Sequence, residues 1–256
     1  MVDKRIIERN FSRNSSCYDG HSAVQNKCAA GLARILEDGR YRSILEIGCG
    51  TGAYTGLLAG MFPEAEISAV DISRSMLEKV SARPGMERVR FVEGDAESAP
   101  VGSGYDLITS NAVFQWFEDI RGSLADFHGK MEKNGTLCFS IYGPGTFREL
   151  QEVFGLVLGE RKKWLSSSGF VSREKIYKSV SAHFDIVYFD ERDYRVSFDS
   201  LLGLLRDIKL SGTRGEGLGG VFLGKNMLTD LEKTYYSRFG RIISSHNVIF
   251  CKALKR

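Results

Sequence analysis

The residues with the clearest chemical potential lie in the segment "ILEIGCGTGAYTG", residues 44–56, where an apolar run meets four glycines. Glycines at this density indicate a backbone that turns sharply or lets a ligand approach closely (the glycine loop, residues 48–52). Glu46 lies two residues before the first of these glycines, Gly48. A carboxylate at this position favours a ligand with a cationic amino group, because it would repel a pyrophosphate.

Three further polar residues follow short apolar segments that have the composition of strands. Asp71 follows "EISAV", Asp95 follows "VRFVEG", and Asn111 follows "YDLITS". Taken alone, Asp71 is equally well explained as a helix cap and Asp95 as a turn residue. Their occurrence at the ends of successive strands favours one shared site instead. In that site Asp95 is placed to accept a hydrogen bond from an exocyclic adenine amine.

The elements that must position these residues alternate between helical and strand periodicity from residue 22 to residue 142. This alternation of strands and helices predicts a parallel sheet with helices on both faces. Ligands are expected beyond the carboxyl ends of its strands. Later segments, "HFDIVYFDERDYRVSF" and "HNVIFCKALK", add a sixth and a seventh strand. We therefore predict an α/β, doubly wound, Rossmann-like fold with a seven-stranded sheet in one domain, residues 1–256. Helical lid additions are expected at residues 1–40, and acceptor-side helical insertions at 143–182 and 199–237.

The composition narrows the classes of partner and site. The chain has 256 residues, and 35 basic against 32 acidic side chains give a net charge of +3, which is too small to indicate nucleic-acid binding by itself. Its five cysteines are scattered without a C-x-x-C pair, so neither a metal site nor a disulfide framework is predicted. The polar N-terminal segment and the lack of a membrane-length apolar run lead us to expect a soluble, cytoplasmic protein.

The glycine loop alone leaves two chemistries open. Read loosely, "GCGTGA" also matches the dinucleotide pattern G-x-G-x-x-A, and Asp71 stands 23 residues after Gly48. A nicotinamide-dependent dehydrogenase is therefore an alternative at this point.

The whole series Glu46, Gly48, Gly50, Gly52, Asp71, Asp95 and Asn111 resembles the cofactor site of the class I, Rossmann-like methyltransferases. The resemblance implies S-adenosyl-L-methionine as the cofactor, with the glycine loop facing its methionine moiety. It also implies that Asp71 binds both ribose hydroxyls and that Asp95 and Ala96 hold the adenine. The cofactor residues implied in this way are Glu46, Gly48, Gly50, Asp71, Ile72, Met76, Asp95, Ala96, Asn111 and Gln25.

The flanking segments resemble a narrower family, the malonyl-(acyl-carrier protein) O-methyltransferases of biotin synthesis. The N-terminal stretch around Phe11, Tyr18, Asp19 and Gln25 carries this resemblance, together with "GTFREL" and "LLRDIKLSGT". The segment "SGTRGEG" departs from the pattern. The resemblance implies methyl transfer to the free carboxylate of malonyl-acyl carrier protein, an acidic partner, with no contact to nucleic acid or membrane. Rival hypotheses are another small acid or a hydroxyl as acceptor, and a scaffold without activity.

A carboxylate acceptor fits the absence of an evident general base, since a carboxylate is already ionised at neutral pH. Binding it calls for a cation, and we expect Arg148 in "GTFREL" to pair with it. Tyr18 is expected to contact the cofactor or acceptor from the lid, and Phe114 and Trp116 to wall the site. Two basic groups are candidates for docking the acidic carrier protein: Arg161, Lys162 and Lys163, or Arg206, Lys209 and Arg214.

Overall fold

A computed structural model describes residues 3–159, 165–212 and 224–256. The strands are β1 (Ser43–Ile47), β2 (Glu66–Asp71), β3 (Val89–Glu93), β4 (Tyr105–Asn111), β5 (Met131–Tyr142), β6 (Phe184–Phe198) and β7 (Ile242–Lys255). The helices are α1 (Lys4–Asn14), α2 (Ala23–Leu36), α3 (Ala53–Met61), α4 (Arg74–Ser81), α5 (Ile120–Lys130), α6 (Arg148–Leu158), α7 (Arg173–Ser181), α8 (Leu201–Leu210) and α9 (Lys225–Phe239). Short 3₁₀ helices span Tyr18–His21, Phe114–Trp116 and Ser166–Gly169.

The seven strands form one sheet in the order β3-β2-β1-β4-β5-β7-β6. Strands β1 to β5 are mutually parallel, and β7 runs antiparallel to both of its neighbours. The predicted seven-stranded, doubly wound fold is confirmed. Because the strand order reverses between β1 and β4, a crevice opens at the carboxyl ends of these strands. The glycine loop leaves β1 at this point.

Apolar side chains cover both faces of the sheet. On one face α5 and α7 pack through Phe127 and Ile176, and on the other α2 and α3 pack through Leu32 and Leu58. Residues of β7 alternate between these two clusters, as expected for a strand buried on both sides.

A third apolar cluster joins α6, α8 and α9 to the first half of β7. Its fully buried members include Phe154, Leu204, Leu231 and Tyr235. This helical layer lies beyond the carboxyl end of β5 and the amino end of β7, and it contains described parts of residues 143–182 and 199–237. In the part of the chain that the structure describes, no helix is long and apolar enough to cross a membrane.

The N-terminal helix α1 lies across the crevice. Asp3 caps it by accepting hydrogen bonds from the backbone nitrogens of Arg5 and Ile6. Its other end is held by Asn14, whose side chain donates to the carbonyl of Lys209 in α8 (2.8 Å). A hydroxyl contact of 2.8 Å between Ser12 and Ser73 ties the same helix to the start of α4.

The end of the glycine loop yields a stability prediction. Gly52 has φ +89° and precedes α3, and a Cβ atom there would stand 2.2 Å from Cγ2 of the buried Val80. Gly52→Ala should lower the free energy of unfolding by about 2–4 kcal/mol, because backbone strain and overpacking add. The matched control is Gly60→Ala in α3, where a Cβ atom meets nothing within 4 Å, and it should gain about 0.5–1 kcal/mol. Urea denaturation of both variants measures their free energies of unfolding. Equal changes in the two variants would contradict the strained, closely packed position of Gly52.

Candidate functional site

The crevice at the carboxyl ends of the strands holds a cavity of about 690 Å³, measured to its open mouth. The glycine loop and the ends of β2, β3 and β4 form its polar side. Of the predicted site residues, those that line it are Tyr18, Gly48, Gly50, Asp71, Ile72, Met76, Asp95, Ala96 and Asn111. Glu46, Gln25 and Arg148 are not among the lining residues.

The Asp71 carboxylate holds the glycine loop in place. Its Oδ2 accepts a hydrogen bond from the Gly50 backbone nitrogen (2.8 Å), and its Oδ1 accepts one from the Ser73 backbone nitrogen (2.8 Å). Burial raises the pKa of Asp71 to about 6, and the two backbone bonds oppose this rise. The group is therefore ionised at neutral pH, and each oxygen keeps capacity to accept another hydrogen bond from a ligand.

Glu46 lies at the end of β1, just before the glycine loop, and only 1% of its surface is exposed. Its Oε2 is buried without a hydrogen-bond partner among the described residues. Burial raises the pKa of this carboxyl to about 8; the Thr55 hydroxyl lowers it, and the Asp71 carboxylate adds to the rise. A buried carboxylate oxygen without a donor is costly, so this position suits a ligand that brings one.

Asp95, predicted to hold an adenine, is paired with the N-terminal helix. Its Oδ1 accepts hydrogen bonds from Lys4 Nζ (3.0 Å) and from the backbone nitrogen of Glu97 (3.1 Å). The same ammonium lies 2.6 Å from Glu97 Oε2 and 5.0 Å from the centre of the Phe117 ring. Asp95 Oδ2 accepts no hydrogen bond from the described residues. Lys4 and Glu97 were not predicted, because the Lys4–Asp95 contact joins residues 91 positions apart.

The remaining walls are largely apolar. Ile7 and Phe11 of α1 close one side, and Val113 and Trp116 the other. Trp116 lines the cavity as expected, whereas Phe114 packs into the core against α5 and β5. These apolar side chains limit the access of water to the polar groups of the glycine loop.

Asn111 joins the site to α2. Its side-chain nitrogen donates to the backbone carbonyl of Gln25 (3.0 Å), and its Oδ1 accepts from the Ser140 hydroxyl (2.8 Å). Gln25 thus reaches the site through its main chain. A cofactor contact of the Gln25 side chain stays a prediction.

Tyr18 begins the 3₁₀ helix that packs on the glycine loop. The neighbouring Asp19 carboxylate accepts hydrogen bonds from the Thr51 hydroxyl and from the Arg83 guanidinium. Burial raises the pKa of Tyr18 well above its ordinary value, and the Asp71 carboxylate adds to this. The Tyr18 hydroxyl therefore stays protonated beside Asp71.

Arg148, expected to bind the acceptor, is the first residue of α6. Its Nη1 lies 2.7 Å from Oδ2 of Asp193. Its contact with an acceptor stays a prediction. Among the basic candidates, Arg206 and Lys209 are exposed on α8. The others, Arg161, Lys162, Lys163 and Arg214, lie outside the described residues.

Comparison with known proteins identifies the family. Residues 44–135 match the model of a methyltransferase domain. A malonyl-(acyl-carrier protein) O-methyltransferase of Halalkalibacterium halodurans is 41% identical over 170 residues, which is 61% of this chain and 62% of that protein. This chain therefore matches less than two thirds of that relative's length. A second enzyme of the same name, from Bacillus cereus, is 30% identical over 267 residues, which is 100% of this chain and 98% of that protein.

The chain belongs to the malonyl-(acyl-carrier protein) O-methyltransferase family. A solved N-methyltransferase, NodS from Bradyrhizobium japonicum, was determined in complex with S-adenosyl-L-homocysteine. It superimposes on this fold with a TM-score of 0.55 at 13% identity, covering 97% of this chain and 98% of that one. The class I methyltransferase fold is thereby confirmed, and the dehydrogenase alternative loses its support.

Glu46 yields a pH-dependent stability prediction. Its pKa in the fold, about 8, exceeds the ordinary value of 4.5, so the stability of the ligand-free protein falls as pH rises from 4.5 and through 8. Glu46→Gln removes this loss. The melting temperature of the variant should therefore exceed that of the parent by a margin that grows between pH 5 and pH 8. Glu64→Gln, an exposed carboxylate, is the control and should show no such growth. If the difference in melting temperature between Glu46→Gln and the parent stayed constant with pH, the raised pKa of Glu46 would be contradicted.

Proposed function

We propose that this chain transfers a methyl group from S-adenosylmethionine to the free carboxylate of a malonyl group on an acyl carrier protein. The product would be the methyl ester that primes pimeloyl formation in biotin synthesis. The observation that carries the proposal is the full-length match to a relative of that name, which extends through the N-terminal and acceptor-side segments. The N-terminal segment lines the cavity, and neither segment is part of the methyltransferase-domain match at residues 44–135.

The residues of the cavity fit such a cofactor. S-adenosylmethionine supplies, when bound, an electrophilic methyl group on a sulfonium. Glu46 would bind its ammonium, because the unpartnered Oε2 needs a donor. Asp71 would accept from the ribose hydroxyls, and Asp95 Oδ2 from the adenine amine. A Cβ atom at Gly50 would meet no protein atom within 4 Å, so open space adjoins the loop for the methionine moiety.

The chain need not supply a base for this acceptor. A carboxylate with an ordinary pKa near 4 is ionised at neutral pH and attacks without losing a proton. The task of the protein is then to align the attacking oxygen with the methyl group and sulfur, which can contribute up to roughly 7–11 kcal/mol.

The lid that would exclude water is the N-terminal segment, residues 1–40. Helix α1 and the Tyr18–His21 turn cover the cavity, and Lys4 joins them to Asp95. Exchange of the cofactor requires this ion pair to open. We assign residues 143–182 and 199–237 to the acceptor side of one methyltransferase domain, residues 1–256.

The proposed partner is an acidic acyl carrier protein. Arg206 and Lys209 are exposed on α8, the helix that Asn14 of the lid contacts, and they could meet acidic groups beside the cavity mouth. A net charge of +3 does not favour nucleic acid. The free cysteines, several of them buried, suit a reducing compartment such as the cytoplasm.

The direct test is mass spectrometry of malonyl-acyl carrier protein incubated with the enzyme and S-adenosylmethionine. We expect a mass gain of one CH₂ on the malonyl carrier and none on acetyl-acyl carrier protein or free malonate. Methylation of free malonate would indicate a carrier-independent acid methyltransferase. Tight binding of S-adenosylhomocysteine with no turnover on any acid would contradict the proposed reaction.

Arg148 supplies a separate kinetic prediction. If its guanidinium leaves Asp193 to bind the malonyl carboxylate, Arg148→Ala should raise KM for the malonyl substrate about tenfold or more, since a charged hydrogen bond is lost. The Kd for S-adenosylhomocysteine should stay unchanged. Arg195→Ala, an exposed arginine on β6, is the matched control. If both variants had the same KM for the malonyl substrate, a role of Arg148 in acceptor binding would be contradicted.

A further inference from the structure

The start of β7 carries a polar run where a buried strand is expected to be apolar. Residues 244–247, "SSHN", are all buried, and they separate the apolar pair Ile242 and Ile243 from the apolar segment that begins at Val248. Burying polar groups is unfavourable unless each finds a partner. On one face of the strand this requirement is met: Ser245 donates to Glu149 of α6, and the side-chain nitrogen of Asn247 donates to Glu191 and Asp193 of β6.

The opposite face of the sheet leaves one polar atom of β7 and one of the neighbouring β5 without partners. In the described part of the chain, four buried side-chain atoms lack a hydrogen bond. Two belong to Glu46 and Thr55 beside the glycine loop, and the other two are the Tyr142 hydroxyl and His246 Nδ1. Tyr142 is 1% exposed and His246 is 7% exposed, and their ring centres lie 6.0 Å apart.

Strand register explains why these two side chains are neighbours. Tyr142, the last residue of β5, pairs with Val248 of β7, so His246 lies two residues beyond this pair on the same face. Tyr194 of β6 pairs directly with His246 and packs against the same apolar cluster. The group thus lies beyond the carboxyl end of β5, on the sheet face that α2 covers.

Tyr142 and His246 do not line the cofactor cavity themselves, but β5 connects them to a residue that does. Ser140, two residues before Tyr142, binds Asn111, which lines the cavity. Burial raises the pKa of Tyr142 well above its ordinary value, and the nearby Cys28, Tyr18 and Asp207 add to the rise. The geometric link from Tyr142 to the cavity therefore runs along β5 to Ser140 and from its hydroxyl to Asn111.

We propose that Tyr142 and His246 form the acceptor subsite, where both donate hydrogen bonds to the carboxylate oxygen that does not attack the methyl group. The inference rests on the proposed function and names residues outside the predicted site. In the neutral imidazole, a Ser244 hydroxyl that donates to Nε2 (3.4 Å) leaves the ring proton on Nδ1. Tyr142 supplies the second donor. Two neutral donors hold the acceptor while leaving its negative charge available for attack.

The protonation states suit this task. Burial lowers the pKa of His246 to about 4, so the ring is neutral at pH 7. The raised pKa of Tyr142 keeps its hydroxyl protonated. Neither group exchanges a proton with a carboxylate at neutral pH, which makes both of them positioning residues.

The first experiment compares Tyr142→Phe with Tyr235→Phe. Tyr142→Phe should raise KM for the malonyl substrate roughly tenfold or more. It should leave the Kd for S-adenosylhomocysteine unchanged, and should not lower the melting temperature, because this hydroxyl has no partner to lose. Tyr235 is a buried tyrosine whose hydroxyl donates to the Ile243 carbonyl (2.5 Å), so its variant should lose stability and keep its KM. His246→Leu should act like Tyr142→Phe, and His246→Asn, which can keep a donor near Nδ1, should recover part of the loss.

The second experiment does not need turnover. The chain has four histidines, so the imidazole nitrogens of ¹⁵N-histidine-labelled protein can be assigned with His246→Asn as reference. Adding malonyl-pantetheine to the S-adenosylhomocysteine complex should shift the His246 Nδ1 signal, and Tyr142→Phe should weaken that binding. A shift without methylation of any acid would retain the subsite and contradict the proposed function. Unchanged kinetics in Tyr142→Phe, together with no shift of the His246 Nδ1 signal, would overturn the subsite. The Tyr142 hydroxyl and His246 Nδ1 would then bind an internal water only.

Discussion

The structure depends on one partly buried anion, the Asp71 carboxylate at the end of β2. By accepting hydrogen bonds from Gly50 and Ser73, it joins the glycine loop after β1 to the start of α4. The sheet order makes this possible, because β1 and β2 are parallel neighbours whose carboxyl ends lie side by side. Burial works against the ionised carboxylate, and the two backbone donors compensate part of that cost. The same two hydrogen bonds of Asp71 therefore fix the shape of the glycine loop and stabilise this edge of the sheet.

The same edge is covered by the N-terminal segment, the proposed lid, which ion pairs and hydrogen bonds hold in place. Lys4 bridges Asp95 and Glu97, while Asp19 joins Thr51 of the glycine loop to Arg83. Ion pairs that are partly exposed contribute little stability each, so the lid can open at modest cost. Apolar contacts of Phe11 with Tyr18 and Trp116 complete the closure. A lid of this kind suits a site that must admit a cofactor and then exclude water.

The sequence predicted the parts of this arrangement that follow from local pattern. Strand composition and the glycine loop placed Asp71, Asp95 and Asn111 at one edge, because the carboxyl ends of parallel strands meet there. The contacts of Lys4 could not be predicted in this way, since nothing local to it indicates a partner 91 residues away. For Arg148, the competing Asp193 lies on β6, 45 residues later.

Two features were missed although the sequence carried a signal for them. The polar run "SSHN" between two apolar segments of one strand indicates a buried polar function, and "SIY" ends β5 with a tyrosine at the same edge. Their adjacency depends on the antiparallel register of β5 and β7, which periodicity does not specify. The orphaned oxygen of Glu46 likewise becomes visible only once burial is known.

The central claim is that Glu46 and Asp71 orient a sulfonium nucleoside in the crevice. A crystal structure of the protein with S-adenosylhomocysteine tests it most directly. We expect the ligand's amino group on the Glu46 carboxylate, directly or through one water, and its ribose hydroxyls on Asp71. A ligand bound in the opposite direction, or one that leaves Glu46 Oε2 without a donor, would contradict it.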